Sequence, residues 1–493
     1  MVLTVEQYRD KVYAAWVGKN IGGTLGGPYE GKREYLNVEG FTTEPGNPLP
    51  NDDLDLQLIW LRAVERLGPS AVTAATLGEM WMSFIPAHWN EYGNCKVNML
   101  AGLPAPVAGD YENSWKHSNG AWIRTEVWAC LAPAAPEVAA KYAIMDASVD
   151  HGVGEGTAAA AFVAAMESAA FVESDIRSLI EVGLAAIPDE SRMYDSIRLL
   201  LSCYDKGMSA REARDAILER NADIGTGWFE APSNVAYAVL GILYGGGDFK
   251  MSMLAAINCG DDTDCTAATV GALLGIMGGM AAIPEDWRAY IGDGIVSIAI
   301  NSALIYDRPK TCRELADRIV KRMPVMLIEN GHQPWQDEHG AYIVGAPDDA
   351  CREEGIFRKQ VRAIAKKIAT RPAYTAEYTF GPVCALARTP DGPEIRAGGE
   401  CEVEITFENL VNIYGNIPHG LELTWLLPEG FTVSADTPRR LYLPHGNAHK
   451  KPMTVYRATV KAGECVEPTN RILLEVKVVG RPTVGYIPIT LLG

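Results

Sequence analysis

Two kinds of hydrophobic spacing divide the chain. Up to about residue 330, apolar positions recur at three- and four-residue intervals in Val5–Trp16, Leu54–Leu67, Ala158–Phe171, Ala231–Tyr244, Met251–Cys259 and Ala267–Met277, which predicts helices. Several are rich in Ala and Gly, as in GTAAAAFVAAMESAAF, and small side chains let helices approach closely. After Arg371-Pro372 the spacing becomes strict alternation in CEVEITFEN, LELTWLL, MTVYRATV and RILLEVKVV, with turn residues at Pro428–Gly430 and Ala462–Glu464. Short alternating strands at this interval predict a β-sandwich. Between the two textures lie a polar, Gly/Pro-punctuated stretch, 331–355, and a short basic helix near Arg358–Thr370. The expected organisation is an all-α domain over 1–330, a linker with a short helix over 331–372, and an immunoglobulin-like β-sandwich over 373–493. His419, His445 and His449 are expected in loops of that last domain and show no metal-ligand spacing.

Length and composition agree with this division. At 493 residues the chain is well beyond the roughly 250–300 at which a single core stops growing. A net charge of −18 disfavours an extended nucleic-acid footprint or an anionic membrane surface as partner. Ten cysteines lie scattered without a CxxC pair, the opening MVLTVEQYRDKVYAAWVGKN lacks the form of a secretory signal, and no run reaches about 18 apolar residues. A cytoplasmic protein with reduced thiols is expected.

Candidate chemistry concentrates at two helix starts. Asn51-Asp52-Asp53-Leu54-Asp55 precedes one apolar helix, and Gly260-Asp261-Asp262-Thr263-Asp264-Cys265-Thr266 precedes another. Acids at a helix start satisfy free N–H groups and complement the positive helix end. Capping needs one acid per helix, whereas these two junctions carry six. Crowded carboxylates repel unless a positive charge sits among them, and oxygen donors suit Mg²⁺, Mn²⁺ or Ca²⁺ better than zinc.

The second motif and its continuation, NCGDDTDCTAATVGALLGIMGGMAAIPEDW, resemble the signature of the ADP-ribosylglycohydrolase family (dinitrogenase reductase-activating glycohydrolase-like): a GGDTD turn, a small-residue helix and an IP..W tail. The first motif resembles the family's TDDT turn, and GKNIGGTLGGPYEG is similar to its glycine-rich GDALG box. HSNGAWIR and MDASVDHG resemble two further boxes, so five matches run in family order from about residue 8 to 290.

The resemblance implies a site of one or two Mg²⁺ or Mn²⁺ ions held by Asp52, Asp53, Asp262 and Asp264, with Asn51 and Cys265, which stand where the family has hydroxyl residues, as further candidate metal ligands. It makes Glu30, with Asp53 and Asp262, catalytic, and places Asn119, Gly120 and His151 beside the substrate. Asp261 is left as a capping or supporting acid, and Gly23 replaces a family Asp. An aromatic segment, GEMWMSFIPAHWNEYGNCKVN, has no family counterpart; its Trp89 is a candidate stacking surface, and Trp81, Tyr92, Asn94 and Asn98 accompany it, with Trp122 and Asn113 farther on. The implied activity is metal-dependent hydrolysis of a glycosidic bond at a ribose-like anomeric carbon, acting on ADP-ribosyl compounds. A glycosidase of the same fold acting on a small glycoside or nucleoside, and a degenerate binding or structural protein, are the alternatives.

Overall fold

A seam of small residues organises the helical part. Gly18, Gly22 and Gly26 lie four apart on the helix Val5–Gly26 and face the helix Thr263–Gly278. A Cβ on Gly18 would lie 2.2 Å from the Gly271 carbonyl oxygen, one on Gly22 2.3 Å from the Ala267 carbonyl, and one on Gly26 2.2 Å from the Thr263 carbonyl oxygen. The two backbones therefore touch along an antiparallel register that only glycine permits. That register carries the end of the first helix, and Glu30 just beyond it, to the start of the second, where the GDDTD turn lies.

The computed structural model describes residues 2–332, 335–336, 342–410, 417–445 and 452–493. His449 lies outside them. The expected helices are present as Val5–Gly26, Asp52–Leu67, Glu155–Ala169, Ala231–Tyr244, Phe249–Ile257 and Thr263–Gly278, and the basic helix as Ile356–Thr370. Thr4 caps the first through a reciprocal pair with Gln7, and Asn51 caps the second by accepting from the Asp53 N–H at 2.7 Å. The sequence expectation of no membrane-length apolar run needs one correction. Thr263–Ala282 is long and apolar enough to cross a membrane, because the small residues after Asp264 raise its mean hydropathy. It is 72% buried within the fold, as a core helix is.

The β-region forms two antiparallel sheets. One orders its strands as Thr375–Phe380, Val383–Arg388, Glu400–Asn409, Met453–Lys461 and Thr432–Val433; the other as Val484–Leu492, Thr469–Val478, His419–Leu426 and Arg440–Leu443. Alternation puts Val403, Ile405 and Phe407 of the first sheet and Ile472, Leu474 and Val476 of the second into one core, which is the arrangement of a sandwich. His419 starts a strand and is buried, contrary to its expected place in a loop, because its alternation partners Leu421 and Leu423 also point inward.

By contacts the chain resolves into two compact units, 1–93 with 113–370 and 94–112 with 371–493. This division is discontinuous, unlike the contiguous domains drawn on the sequence. Within the second unit Leu103, Val107 and Ala108 pack with Ala376, and the Asp110 carboxylate accepts from the Tyr374 N–H at 2.9 Å. Periodicity could not reveal this, since the segment is short and its partners lie far along the chain. None of the ten cysteines is in a disulfide, and only Cys465 is exposed.

Candidate active site

The acidic turns and the Glu30 loop meet in the first unit. Asp52 and Asp53 occupy the first turn of Asp52–Leu67, Asp262 precedes Thr263–Gly278, and Asp264 lies in its first turn. Glu30 follows the 3-10 turn Gly27–Tyr29. Glu30, Asp262 and Asp264 offer oxygens within 4.8 Å of one another, and Asp53, Asp264 and Cys265 form a second such set. Three segments more than 200 positions apart at the extremes thus supply one cluster.

The backbone of the second turn is built for this convergence. Gly260 has φ +76° and Asp261 has φ +65°, a left-handed pair that turns the chain sharply into the helix. The Asp261 N–H donates to the Lys32 carbonyl at 2.6 Å, and the Asp261 carbonyl accepts from the Gly31 N–H at 2.8 Å, which ties this turn to the Glu30 loop. The Asp261 side chain points elsewhere, accepting from Asn234 Nδ2 at 3.0 Å. This agrees with a supporting acid rather than a member of the cluster.

Crowding and burial make these carboxyls hard to ionise together. Asp264, then burial, raises Glu30 to about 7. Burial, with Asp264 and other neighbouring acids, pushes Asp52, Asp53 and Asp262 upward, and burial does the same to Asp264. Lys19 opposes the rise at Asp53, and the Tyr92 hydroxyl, donating to Asp52 at 2.9 Å, opposes it there. Asp53 Oδ2, Asp262 Oδ1 and Asp264 Oδ1 are buried without a hydrogen-bond partner. Buried oxygens left unpaired cost free energy unless a ligand meets them. Hard oxygen donors, unpaired and turned together, fit a divalent cation of the Mg²⁺ or Mn²⁺ kind.

The other site residues divide in two. Asn119 donates to Asp262 Oδ2 at 2.6 Å and accepts from the Trp122 indole at 2.9 Å, so it fixes a cluster carboxylate. Gly120 lies against Glu91, where a Cβ would come within 2.0 Å of Oε1, and its carbonyl accepts from Arg124. His151 is fully buried, with Nδ1 2.9 Å from Asp150 and Nε2 3.3 Å from the Ser118 hydroxyl. The structure thus gives both nitrogens of that ring partners within the chain. Cys265 directs its thiol at Asp53 Oδ1, 3.3 Å away, and burial, then Asp262, pushes the thiol pKa up.

The aromatic segment is largely core. Trp60, Trp81 and Tyr92 surround Arg124, whose Cζ lies 5.8, 5.1 and 5.9 Å from their ring centroids. Trp89 alone of the segment's large rings is strongly exposed, at 44%. Asn98 donates to the Ala108 and Tyr111 carbonyls, and Asn113 to the Asp150 carbonyl, so these amides serve the backbone. Two coupled departures from the expected pattern also become clear. A Cβ on Gly23 would sit 2.1 Å from Asn51 Nδ2, so Asn51 occupies the space a carboxylate at position 23 would need.

Beneath the cluster lie polar groups that no motif in the sequence marks. Lys19 is wholly buried, 2.7 Å from Glu126 and 3.9 Å from Asp53 Oδ2, and Gln57 Nε2 donates to Glu126 at 2.7 Å. A lone lysine among glycines in GKNIGG was the available signal.

Comparison with known proteins bears on this geometry. The description "ADP-ribosylglycohydrolase" matches residues 4–325, which include every member of the cluster. The chain belongs to the ADP-ribosylglycohydrolase family. That membership supports a glycosylhydrolase-type function for this chain. A solved structure titled "ADP-ribosylglycohydrolase-related protein complex" is 21% identical, covering 64% of this chain and 99% of its own, with a TM-score of 0.42. No curated protein matches the chain.

Proposed function

We propose that this chain hydrolyses a glycosidic bond at a ribose-like anomeric carbon of ADP-ribosyl compounds, with Mg²⁺ or Mn²⁺ as cofactor. The observation that carries the reading is the convergence of Glu30 with Asp262 and Asp264, each of these two aspartates keeping one buried oxygen without a hydrogen-bond partner. Acids of the two turns would hold the cation. When bound, a divalent cation orients sugar hydroxyls and makes a nearby water easier to deprotonate. Glu30 stands on a turn beside that cluster, where a carboxyl can move a proton at the glycosidic oxygen or at the attacking water. Asn119 holds Asp262 in place. Trp89 offers an open ring to a planar or sugar face of the substrate.

The test is a hydrolysis panel with Mg²⁺: ADP-ribosyl-arginine and ADP-ribosyl-serine peptides, O-acetyl-ADP-ribose, nucleosides and aryl glycosides. ADP-ribose release that disappears in Glu30→Gln and Asp262→Asn is expected. Turnover of simple glycosides alone would move the substrate to that class. Inactivity across the panel with metal bound would sink the enzymatic reading.

A further inference from the structure

The cluster has two ends that differ in what the chain has already placed there. At the Asp262–Asp264 end, beside Glu30, Asp262 Oδ1 and Asp264 Oδ1 are unpaired although the residues are only 4% and 9% exposed. At the Asp53 end both carboxylate oxygens face groups of the chain itself. The Cys265 thiol donates to Oδ1 at 3.3 Å, and the Lys19 ammonium lies 3.9 Å from Oδ2. Lys19 cannot swing away, because it also donates to the Ile123 carbonyl and to Glu126 Oε1, each at 2.7 Å, and has no exposure to solvent. Gln57 in turn holds the other Glu126 oxygen.

We infer that the cluster takes a single divalent cation, at the Asp262–Asp264 end, and that the Lys19 ammonium is a built-in countercharge that closes the Asp53 end to a second. This rests on the metal-dependent reading above. A fixed positive charge at that distance does for Asp53 what a second ion would do, and it repels such an ion through a low-dielectric interior. A thiol that spends its proton on Asp53 Oδ1 is likewise a donor there, not a ligand, and sulfur matches Mg²⁺ and Mn²⁺ poorly.

The experiment titrates the full chain with Mn²⁺, counting bound ions by elemental analysis and following spin coupling by electron paramagnetic resonance. One equivalent per chain without a coupled pair is expected. Two equivalents with a coupled signal would overturn the inference while leaving the metal-dependent reading intact, and no binding at all would remove both. The variant Lys19→Met/Glu126→Gln takes away the ammonium together with its buried partner and is expected to bind two equivalents. If it still binds one, Lys19 is not what closes that end and the inference falls. Should that variant not fold, Cys265→Ser decides instead: it retains Lys19 and is expected to stay at one equivalent, and a second would overturn the role of Lys19. Cadmium provides the last check. A thiolate-to-cadmium charge-transfer band lost in Cys265→Ser would make the thiol a ligand and end the argument.

Discussion

Arg124 reaches Asp150 with both terminal nitrogens, at 3.0 and 2.8 Å, and neither side chain has any exposure. Arg124 also engages Asp146 and the Gly120 carbonyl, so one guanidinium joins the Asn119–Gly120 loop to the helix Pro136–His151. Arg124→Met would strand two buried carboxylates, a loss of about 3–5 kcal/mol for breaking such a pair. Arg124→Lys keeps the charge but not the planar fork, and should recover only part of it. Denaturant unfolding measures both, and equal stability of wild type and Arg124→Lys would contradict the bidentate role.

The glycine seam gives a second prediction. Gly22→Ala puts a methyl group 2.3 Å from the Ala267 carbonyl, where backbone must move. Overpacking of this kind costs about 1–3 kcal/mol. Because the displaced helix carries Glu30 toward Asp262, Mn²⁺ affinity and thermal stability should fall together. A variant that loses stability with unchanged affinity would separate the seam from the site.

Metal removal gives a third. A ligand that binds only the folded state stabilises it by about 2.7 kcal/mol at a hundredfold excess over its dissociation constant. Chelation should therefore lower the melting temperature of wild type and leave Asp262→Asn unmoved. An equal drop in both would place the stabilising ion elsewhere.

Glu230 gives a pH dependence. Burial raises its carboxyl to about 7, although the Thr226 and Gly227 N–H groups donate to it. Its folded pKa thus lies above its unfolded one. The associated stability is full below about pH 4.3, the ordinary glutamate value, and is lost as pH rises through 7. Glu230→Gln should show no such loss, so the stability gap between the proteins changes by on the order of 1–3 kcal/mol between pH 4 and 8. Parallel pH profiles would refute it.

Much of the site was legible because its residues sit at helix starts, where local sequence dictates geometry. Asn51 caps its helix, Asp52 lies in the first turn of that helix and Asp262 stands at the N-terminal boundary of the other, and the two-residue alternation of Glu400–Asn409 and Thr469–Val478 marked the sandwich. The Lys19–Glu126 pair was not legible, since its partners lie 107 positions apart and neither belongs to a periodic signal. The aromatic segment misled for a related reason. Trp81 and Tyr92 look like a ligand surface in sequence, but their neighbour in space is Arg124, a contact that spacing does not encode.

The discontinuous unit has a consequence for the order in which the protein is made. Glu112 and Arg371 are separated by 259 positions (371 − 112), so Leu103, Val107 and Ala108 emerge from the ribosome long before Ala376 exists to cover them. At about 5–20 residues per second, that interval lasts roughly 13–52 s. Residues 113–370 can assemble during it, while the 94–112 segment waits with its apolar side chains uncovered. The nascent chain therefore passes through an obligatory stage in which residues 113–370 are available to fold while the 94–112 segment, which carries the short helix Val107–Asp110, is still without its partner strands.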